Sequence, residues 1–90
     1  MALLVDGAHW PWRDRHWCHL VSDTSLDELH AFASFLGVPE RGFQGDHYDI
    51  PHEVRERAVE HGALEVSSRQ VVEALYQAGL RLPRTAKLAD

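Results

Sequence analysis

The sequence of 90 residues has a single cysteine, Cys18, and no apolar run approaching the roughly 18 residues of a membrane span. One cysteine excludes an intrachain disulfide and fits a reducing compartment, so a cytoplasmic protein without membrane contact is expected. The start, MALLVDG, lacks the basic segment of a signal peptide, and its apolar run ends at Asp6. Basic residues are also few. Nine Lys and Arg against fourteen Asp and Glu give a net charge of −5, which argues against duplex nucleic acid as a partner.

The chain also lacks repeats, linkers and low-complexity segments, so residues 1–82 are predicted to form one α/β domain, with 83–90 as a frayed tail. Apolar residues 2–5 predict a strand, and WCHLVS at 17–22 predicts a second strand after a loop broken by Pro11. The apolar runs, capping residues and glycines in the rest of the chain predict the order β-β-α-β-α-β-α. It predicts a small, mostly parallel sheet of about four strands packed with three helices.

The three predicted helices begin at capping signals or a proline and end at glycines. Their limits are Ser25 to Gly37, Pro51 to Gly62, and Ser67 to Gly79. The first has the clearest pattern, because Ser25 and Glu28 form a capping box ahead of an apolar stripe.

Polar residues are predicted to gather where parallel strands end, since open α/β sheets bind ligands at that edge. Asp6 ends the first strand, and GDHYDI at 45–50 is the densest polar cluster in the chain. His47 and Asp49 are two residues apart, so they point the same way in an extended segment. Asp6, His47 and Asp49 are therefore predicted metal ligands. The alternative is that Asp6 belongs to a turn, Asp49 prepares a helix start and His47 is solvated.

His19 and His30 occupy apolar positions, one in mid-strand and the other on a helix stripe. If the two face each other, they complete the ligand shell of a zinc or manganese ion or move protons as catalytic residues. The alternative is that each is a core residue hydrogen-bonded to the backbone.

All three tryptophans and two arginines fall within residues 9–17, HWPWRDRHW. Trp10 and Trp12 can stack on an aromatic ligand while Arg13 holds a phosphate, as in proteins that bind single-stranded nucleic acid. With Tyr48, these residues are the predicted ligand contacts. The alternative is that the indoles only cover the open edge of a small core.

Together these residues resemble an uncharacterised family of small bacterial and tailed-phage proteins, known only as a domain of unknown function. The resemblance rests on VD at 5–6, WCHL at 17–20, DTSLDELHAFASFLG at 23–37, FQGDHYD at 43–49 and RAVEHGALEVSSRQ at 57–70. It covers about residues 3 to 75. It implies a domain that stands alone and no particular reaction. The segment between Phe43 and His47 is short here, which would narrow a pocket at that point.

Two functions are predicted at nearly equal weight. The first is a divalent-metal-dependent hydrolase acting on a phosphoester or nucleotide, in which a homodimer could supply the walls that a short chain lacks. The second is a non-catalytic module that binds a small-molecule ligand, a nucleotide or a partner through residues 9–17. A third reading, in which the histidines are structural and the acidic domain occupies a basic site on a partner, ranks behind them.

Overall fold

A computed structural model describes residues 2–8 and 10–81 of the chain. The elements in order are β1 (Leu3–Val5), β2 (Trp10–Trp12), β3 (Arg15–Ser22), α1 (Leu26–Leu36), a short 3-10 helix (Glu40–Gly42), β4 (Tyr48–Pro51), α2 (His52–Glu60), β5 (Leu64–Glu65) and α3 (Ser68–Gln77). The predicted tail at 83–90 lies outside the described residues, as does His9. No helix in the described ranges is long and apolar enough to cross a membrane.

The five strands form one mostly antiparallel sheet around β3, so the predicted mostly parallel sheet is wrong. β1, β2 and β4 all run antiparallel to β3, and only β1 and β5 pair in parallel. The prediction assumed that each helix returns the chain to the start of a parallel neighbour. Instead, α1 and the segment after it bring β4 back in the opposite direction along the free edge of β3.

The predicted loop around Pro11 contains a β-hairpin that joins β2 to β3. Arg13 and Asp14 form its two-residue turn, with φ angles of 52° and 62°, the left-handed values that a type I′ turn requires. Pro11 pairs with His16 on a strand whose other side has no strand neighbour in the described chain. Proline has no N–H, and it is tolerated there because no further strand needs a hydrogen-bond donor at this position.

Helices cover both faces of the sheet. On one face, α1 and α2 pack over a core that includes Leu20, Tyr48 and Ile50. On the other face, α3 packs its Val71 and Leu75 against a smaller group. The three predicted helices are confirmed, and side-chain caps begin α1 and α3, whereas α2 begins after Pro51 without one. The Ser25 hydroxyl accepts the Glu28 N–H and Gly37 ends α1 at φ 78°, while Ser67 and Gln70 form a capping box at α3. The capping box predicted at α1 is only half formed, because the Glu28 carboxylate accepts the Ser22 hydroxyl and the Ser25 N–H donates to Ser22 instead.

The α3 face of the sheet is only partly covered. Successive residues of a strand point to opposite faces, so Trp17, His19 and Val21 of β3 share this face. Val21 lies beneath α3, whereas Trp17 and His19 lie on the half that α3 leaves open. The open half therefore presents aromatic and titratable side chains from the centre of the sheet.

Candidate metal centre

His19 is fixed by the carboxylate of Asp6, which follows β1. The Asp6 side chain is fully buried, and its Oδ1 accepts the His19 backbone N–H at 2.7 Å. Its Oδ2 lies 2.7 Å from Nδ1 of His19 and accepts the Ser68 hydroxyl at 3.0 Å. These bonds connect β1, β3 and the start of α3 at a single carboxylate.

The hydrogen bond between Asp6 and His19 also affects the pKa of both side chains and the position of the proton on the His19 ring. Burial acts to raise the pKa of Asp6, but the hydrogen bonds from His19 and Ser68 outweigh it and hold that pKa below the ordinary 3.8. The same hydrogen bond raises the pKa of His19 above 6.5, against the opposing effect of burial. Because ionised Asp6 only accepts, Nδ1 of His19 carries the proton. In the neutral ring, Nε2 then has a free lone pair.

His47 is held in the same way by a second carboxylate. Its Nδ1 lies 2.7 Å from Oδ1 of Asp46, and Asp46 accepts two bonds from Arg81, Nε to Oδ2 at 2.7 Å and Nη2 to Oδ1 at 3.0 Å. Partial burial acts to raise the pKa of Asp46, but the bonds from Arg81 and His47 keep it lowered. Asp46 is therefore an ionised acceptor, and Nδ1 of His47 is its donor.

Asp49 completes a group of three with His19 and His47. Asp49 of β4 is paired in register with His19 of β3, so the two side chains share the open half of the sheet face. The His19 and His47 rings have centroids 4.9 Å apart at 74°. One ligand atom from each of the three residues lies within 4.8 Å of the others. Nε2 of His47 is 3.3 Å from Oδ1 of Asp49.

This geometry fits a metal ion. Zinc bonds of about 2.0–2.2 Å at tetrahedral angles place neighbouring ligand atoms about 3.4 Å apart. The His47–Asp49 distance of 3.3 Å already has that value. The widest separation in the group, 4.8 Å, needs to close by about 1.4 Å, which rotation of partly exposed side chains can supply. Imidazoles whose second nitrogen donates to a carboxylate are the usual arrangement at protein metal sites.

Asp49 also lines a cavity of about 760 Å³. Its walls include all three tryptophans and three arginines, and Asp49 is the one acidic residue among them. Trp10 joins the cavity to the group of three, because its indole also lies 4.8 Å from the His19 ring, centroid to centroid.

The structure separates the two predicted catalytic histidines. Nδ1 of His30 lies 2.8 Å from the Tyr48 hydroxyl, and its ring packs 4.6 Å from that of Phe43. Tyr48 pairs with Leu20, so it points to the α1 face, opposite His19 and Asp49. Tyr48, a predicted ligand contact, is 1% exposed. His30 and Tyr48 thus form a pair of their own within the core under α1.

The other predicted site residues differ in how directly they contact the group of three. His47 and Asp49 are members of it, while Asp6, predicted as a ligand, supports His19 from behind. Trp12 and Arg13 lie further along the hairpin, with the Arg13 guanidinium carbon 4.6 Å from the centroid of the Trp12 ring.

Sequence reasoning missed three residues that support the site. Asp46 was visible within DHYD, and its position next to His47 was the available signal. Ser68 and Arg81 bond to Asp6 and Asp46 across 62 and 35 residues of sequence. No local pattern indicates contacts at such separations.

Fold and site together define a small α/β domain with a His-His-Asp group on a partly open sheet face. The chain belongs to the family described as Protein of unknown function (DUF4031), whose sequence profile matches residues 3–78, and the predicted resemblance is confirmed. Arg81 lies outside the matched residues. No curated protein and no solved structure matches the chain.

Proposed function

We propose that this protein binds one divalent metal ion, zinc or manganese, through His19, His47 and Asp49, and uses it to hydrolyse a phosphoester. One observation carries the metal site. Nδ1 of His47 donates to Asp46, so in a neutral ring Nε2 is an acceptor, yet it faces the acceptor Oδ1 of Asp49 at 3.3 Å. Two lone pairs at that distance repel unless a cation lies between them. A metal ion supplies that cation, and a second ring proton is the alternative.

Three protein ligands are the number found at catalytic zinc sites, which keep a further position for water or substrate. An ion held there by His19, His47 and Asp49 would polarise a phosphoryl oxygen and would make a water molecule more acidic. Other residues of the chain orient the side chains that would bind the ion. Asp6 and Asp46 hold the two imidazoles with Nε2 outward, and Asp49 brings an anionic oxygen from the neighbouring strand. His19, predicted to be catalytic, is assigned here as a ligand.

A phosphoester is favoured by the charge beside Asp49. Arg15, Arg41 and Arg57 line the adjoining cavity, although the whole chain has a net charge of −5. Guanidinium groups bind phosphate oxygens by paired hydrogen bonds, so these side chains suit an anionic substrate. Hydrolysis would add water across a P–O bond and leave a phosphate and an alcohol. The substrate would approach along the cavity rather than from the side of the sheet covered by α3.

The metal site is tested by calorimetric titration of untagged protein with Zn²⁺ and Mn²⁺. Wild type should bind one equivalent, and His47→Ala should weaken binding by about a hundredfold or more, because a ligand is lost. His52→Ala is the matched control, since His52 is exposed and, among the described residues, its one ionic partner is Glu56 one turn away on α2. Equal affinities of the two variants, or a wild type that binds neither ion, would refute the site.

Hydrolysis needs a separate assay. Bis-p-nitrophenyl phosphate and p-nitrophenyl phosphate should release p-nitrophenol with wild type and the bound ion, and chelation or His47→Ala should abolish the release. His52→Ala should retain it. A protein that binds the ion stoichiometrically and releases nothing from either compound would keep the metal site and refute the hydrolase.

A second function is supported by the hairpin. Trp12 is 54% exposed at the centre of the predicted binding segment 9–17, and Arg13 stacks on it. A large exposed indole beside a guanidinium suits a binding module, because tryptophan and arginine dominate binding energies at interfaces. Ligand binding without any turnover, and unaffected by His47→Ala, would favour this alternative over the hydrolase.

A further inference from the structure

We infer that the substrate is a nucleotide with an unpaired base, whose base lies among Trp10, Trp12 and Trp17 and whose phosphate points toward Asp49. The position of the phosphate rests on the proposed function. The site for the base rests on the cavity alone and stands even if the protein binds no metal.

The cavity has a wall of indoles set by the register of the sheet. Trp10 pairs with Trp17 across β2 and β3, and Trp12 lies 5.5 Å from Trp17 at 58°, centroid to centroid. Nε1 of Trp17 donates to the Trp12 carbonyl at 2.8 Å, which fixes its ring against the hairpin. None of the three indoles belongs to the two buried core groups. Trp12 is exposed and Trp10 and Trp17 are half-buried, so part of their aromatic surface can contact a planar ligand.

The lining of the cavity also includes three arginines, Arg15, Arg41 and Arg57. Arg57 is anchored because it donates to the Leu36 carbonyl, and Arg15 is only loosely paired with Glu53 at 3.6 Å. Arg41 follows α1 on the segment beside the β4 edge and makes no ion pair with another described residue. A cavity lined by both indoles and arginines suits a ligand that is both planar and anionic.

The size and position of the cavity further restrict the class of ligand that it can bind. A volume of about 760 Å³ lies within the roughly 300–1,000 Å³ of small-molecule sites. Stacking on an indole requires a free base face, which a duplex does not offer. Along this sheet face, Trp17 pairs with Pro51 and His19 pairs with Asp49 two residues later, about 7 Å along the strand. A base at the indoles thus has its phosphate within reach of the His-His-Asp group.

A free nucleotide and the end of a single strand share this chemistry. Calorimetry with AMP and with a short oligothymidylate separates the two sources, and both are compared with adenosine and ribose 5-phosphate. AMP or the oligonucleotide should bind at least about tenfold more tightly than adenosine or ribose 5-phosphate. The reason is that a nucleotide offers both a base for stacking and a phosphate for the arginines, whereas each of the other two compounds offers one of these groups.

Two variants locate the binding site. Trp12→Ala should weaken binding by about fivefold or more through lost stacking, and Arg41→Ala should weaken it by about tenfold through lost phosphate contact. Both residues are exposed, so the fold should tolerate the changes. Arg69→Ala is the matched control, because Arg69 is exposed on α3 and Glu73 is its one ionic partner within residues 2–8 and 10–81. It should bind like wild type.

The outcomes distinguish this inference from the proposed function. No binding of AMP or the oligonucleotide by a protein that holds one equivalent of zinc would overturn the nucleotide and leave the metal site in place. Binding that is equally weakened in all three variants would overturn the location. Binding that persists in His47→Ala, and in a wild type that takes up no metal, would support the base site while the proposed hydrolase fails.

Discussion

Replacing Asp6 by asparagine tests how the structure prepares His19 for a metal ion. Asparagine has almost the same shape as aspartate, but its amide nitrogen donates where Oδ2 accepted. Oδ2 now receives the Nδ1–H of His19 at 2.7 Å and the Ser68 hydroxyl at 3.0 Å. In Asp6→Asn, the His19 ring is expected to change tautomer, so that Nδ1 accepts from the amide and Nε2 carries the proton. A protonated Nε2 cannot bind a metal.

Two magnitudes follow from this change. Loss of a carboxylate that orients a metal-binding histidine weakens metal affinity about 10- to 100-fold, or about 1.4–2.7 kcal/mol. The fold also loses charge-assisted hydrogen bonds at a fully buried residue, at a cost of about 1.5–3 kcal/mol. In a domain of this size, each kcal/mol lowers Tm by roughly 4–8 °C. Binding is therefore measured well below the Tm of the variant.

The assay combines a zinc-chelator competition with ¹⁵N NMR of the histidine ring, at a pH above the raised pKa of His19, so that its ring is neutral. Wild type should show His19 protonated at Nδ1, and Asp6→Asn should show it protonated at Nε2. Asp27→Asn removes an exposed carboxylate of α1 and controls for net charge. A folded Asp6→Asn that binds zinc within about twofold of wild type would show that His19 does not act through Nε2.

Two further predictions concern the same groups. The hydrogen bond to Asp6 raises the pKa of His19, so its stabilisation is fully present below pH 6.5 and is lost as pH rises through the raised pKa. The lowered pKa of Asp6 gives stabilisation that is present above pH 3.8 and is lost as pH falls through the lowered pKa. Urea unfolding measured across this pH range should show both losses of stability in wild type. Neither loss should appear in Asp6→Asn. Tyr48→Phe removes the hydroxyl that His30 contacts and should cost about 1 kcal/mol in urea unfolding. Zinc affinity should be unchanged in Tyr48→Phe, and a change of more than about threefold would contradict the separation of His30 from the metal centre.

The helices could be predicted because their signals are local. Ser25 and Ser67 cap the backbone amides within three residues of themselves, and Gly37 takes the left-handed conformation that ends α1. Strand direction has no such local signal. Whether β4 runs parallel or antiparallel to β3 depends on where α1 and the segment after it place the chain. That outcome is set by packing on the sheet and not by the residues of β4.

The hairpin was missed because its sequence contradicts the usual signals. Pro11 normally breaks a strand, and a type I′ turn usually contains Asn-Gly rather than Arg13 and Asp14. The pairing of Trp10 with Trp17 and of Trp12 with Arg15 overrides both local preferences. Alternating aromatic residues on either side of the turn were the signal that pointed to a hairpin.

The candidate site could be predicted in part. Alternation placed His47 and Asp49 on one side, and the end of β1 marked Asp6 as a residue of interest. Periodicity did not show which sheet face each histidine occupies, so His19 and His30 looked equivalent although they lie on opposite faces. That difference depends on the pairing of β3 with β4, which joins parts of the chain about thirty residues apart.

The contacts around Asp6 and His47 have a consequence for mechanical and kinetic stability. His19 and Asp49 enclose α1 and the turn after it, and Asp6 reaches across to Ser68 at the start of the last helix. An ion at this point would act as a reversible cross-link, closing a long loop much as a disulfide does in secreted domains. A chain with one cysteine would thereby gain a cross-link that forms and is lost with the supply of metal.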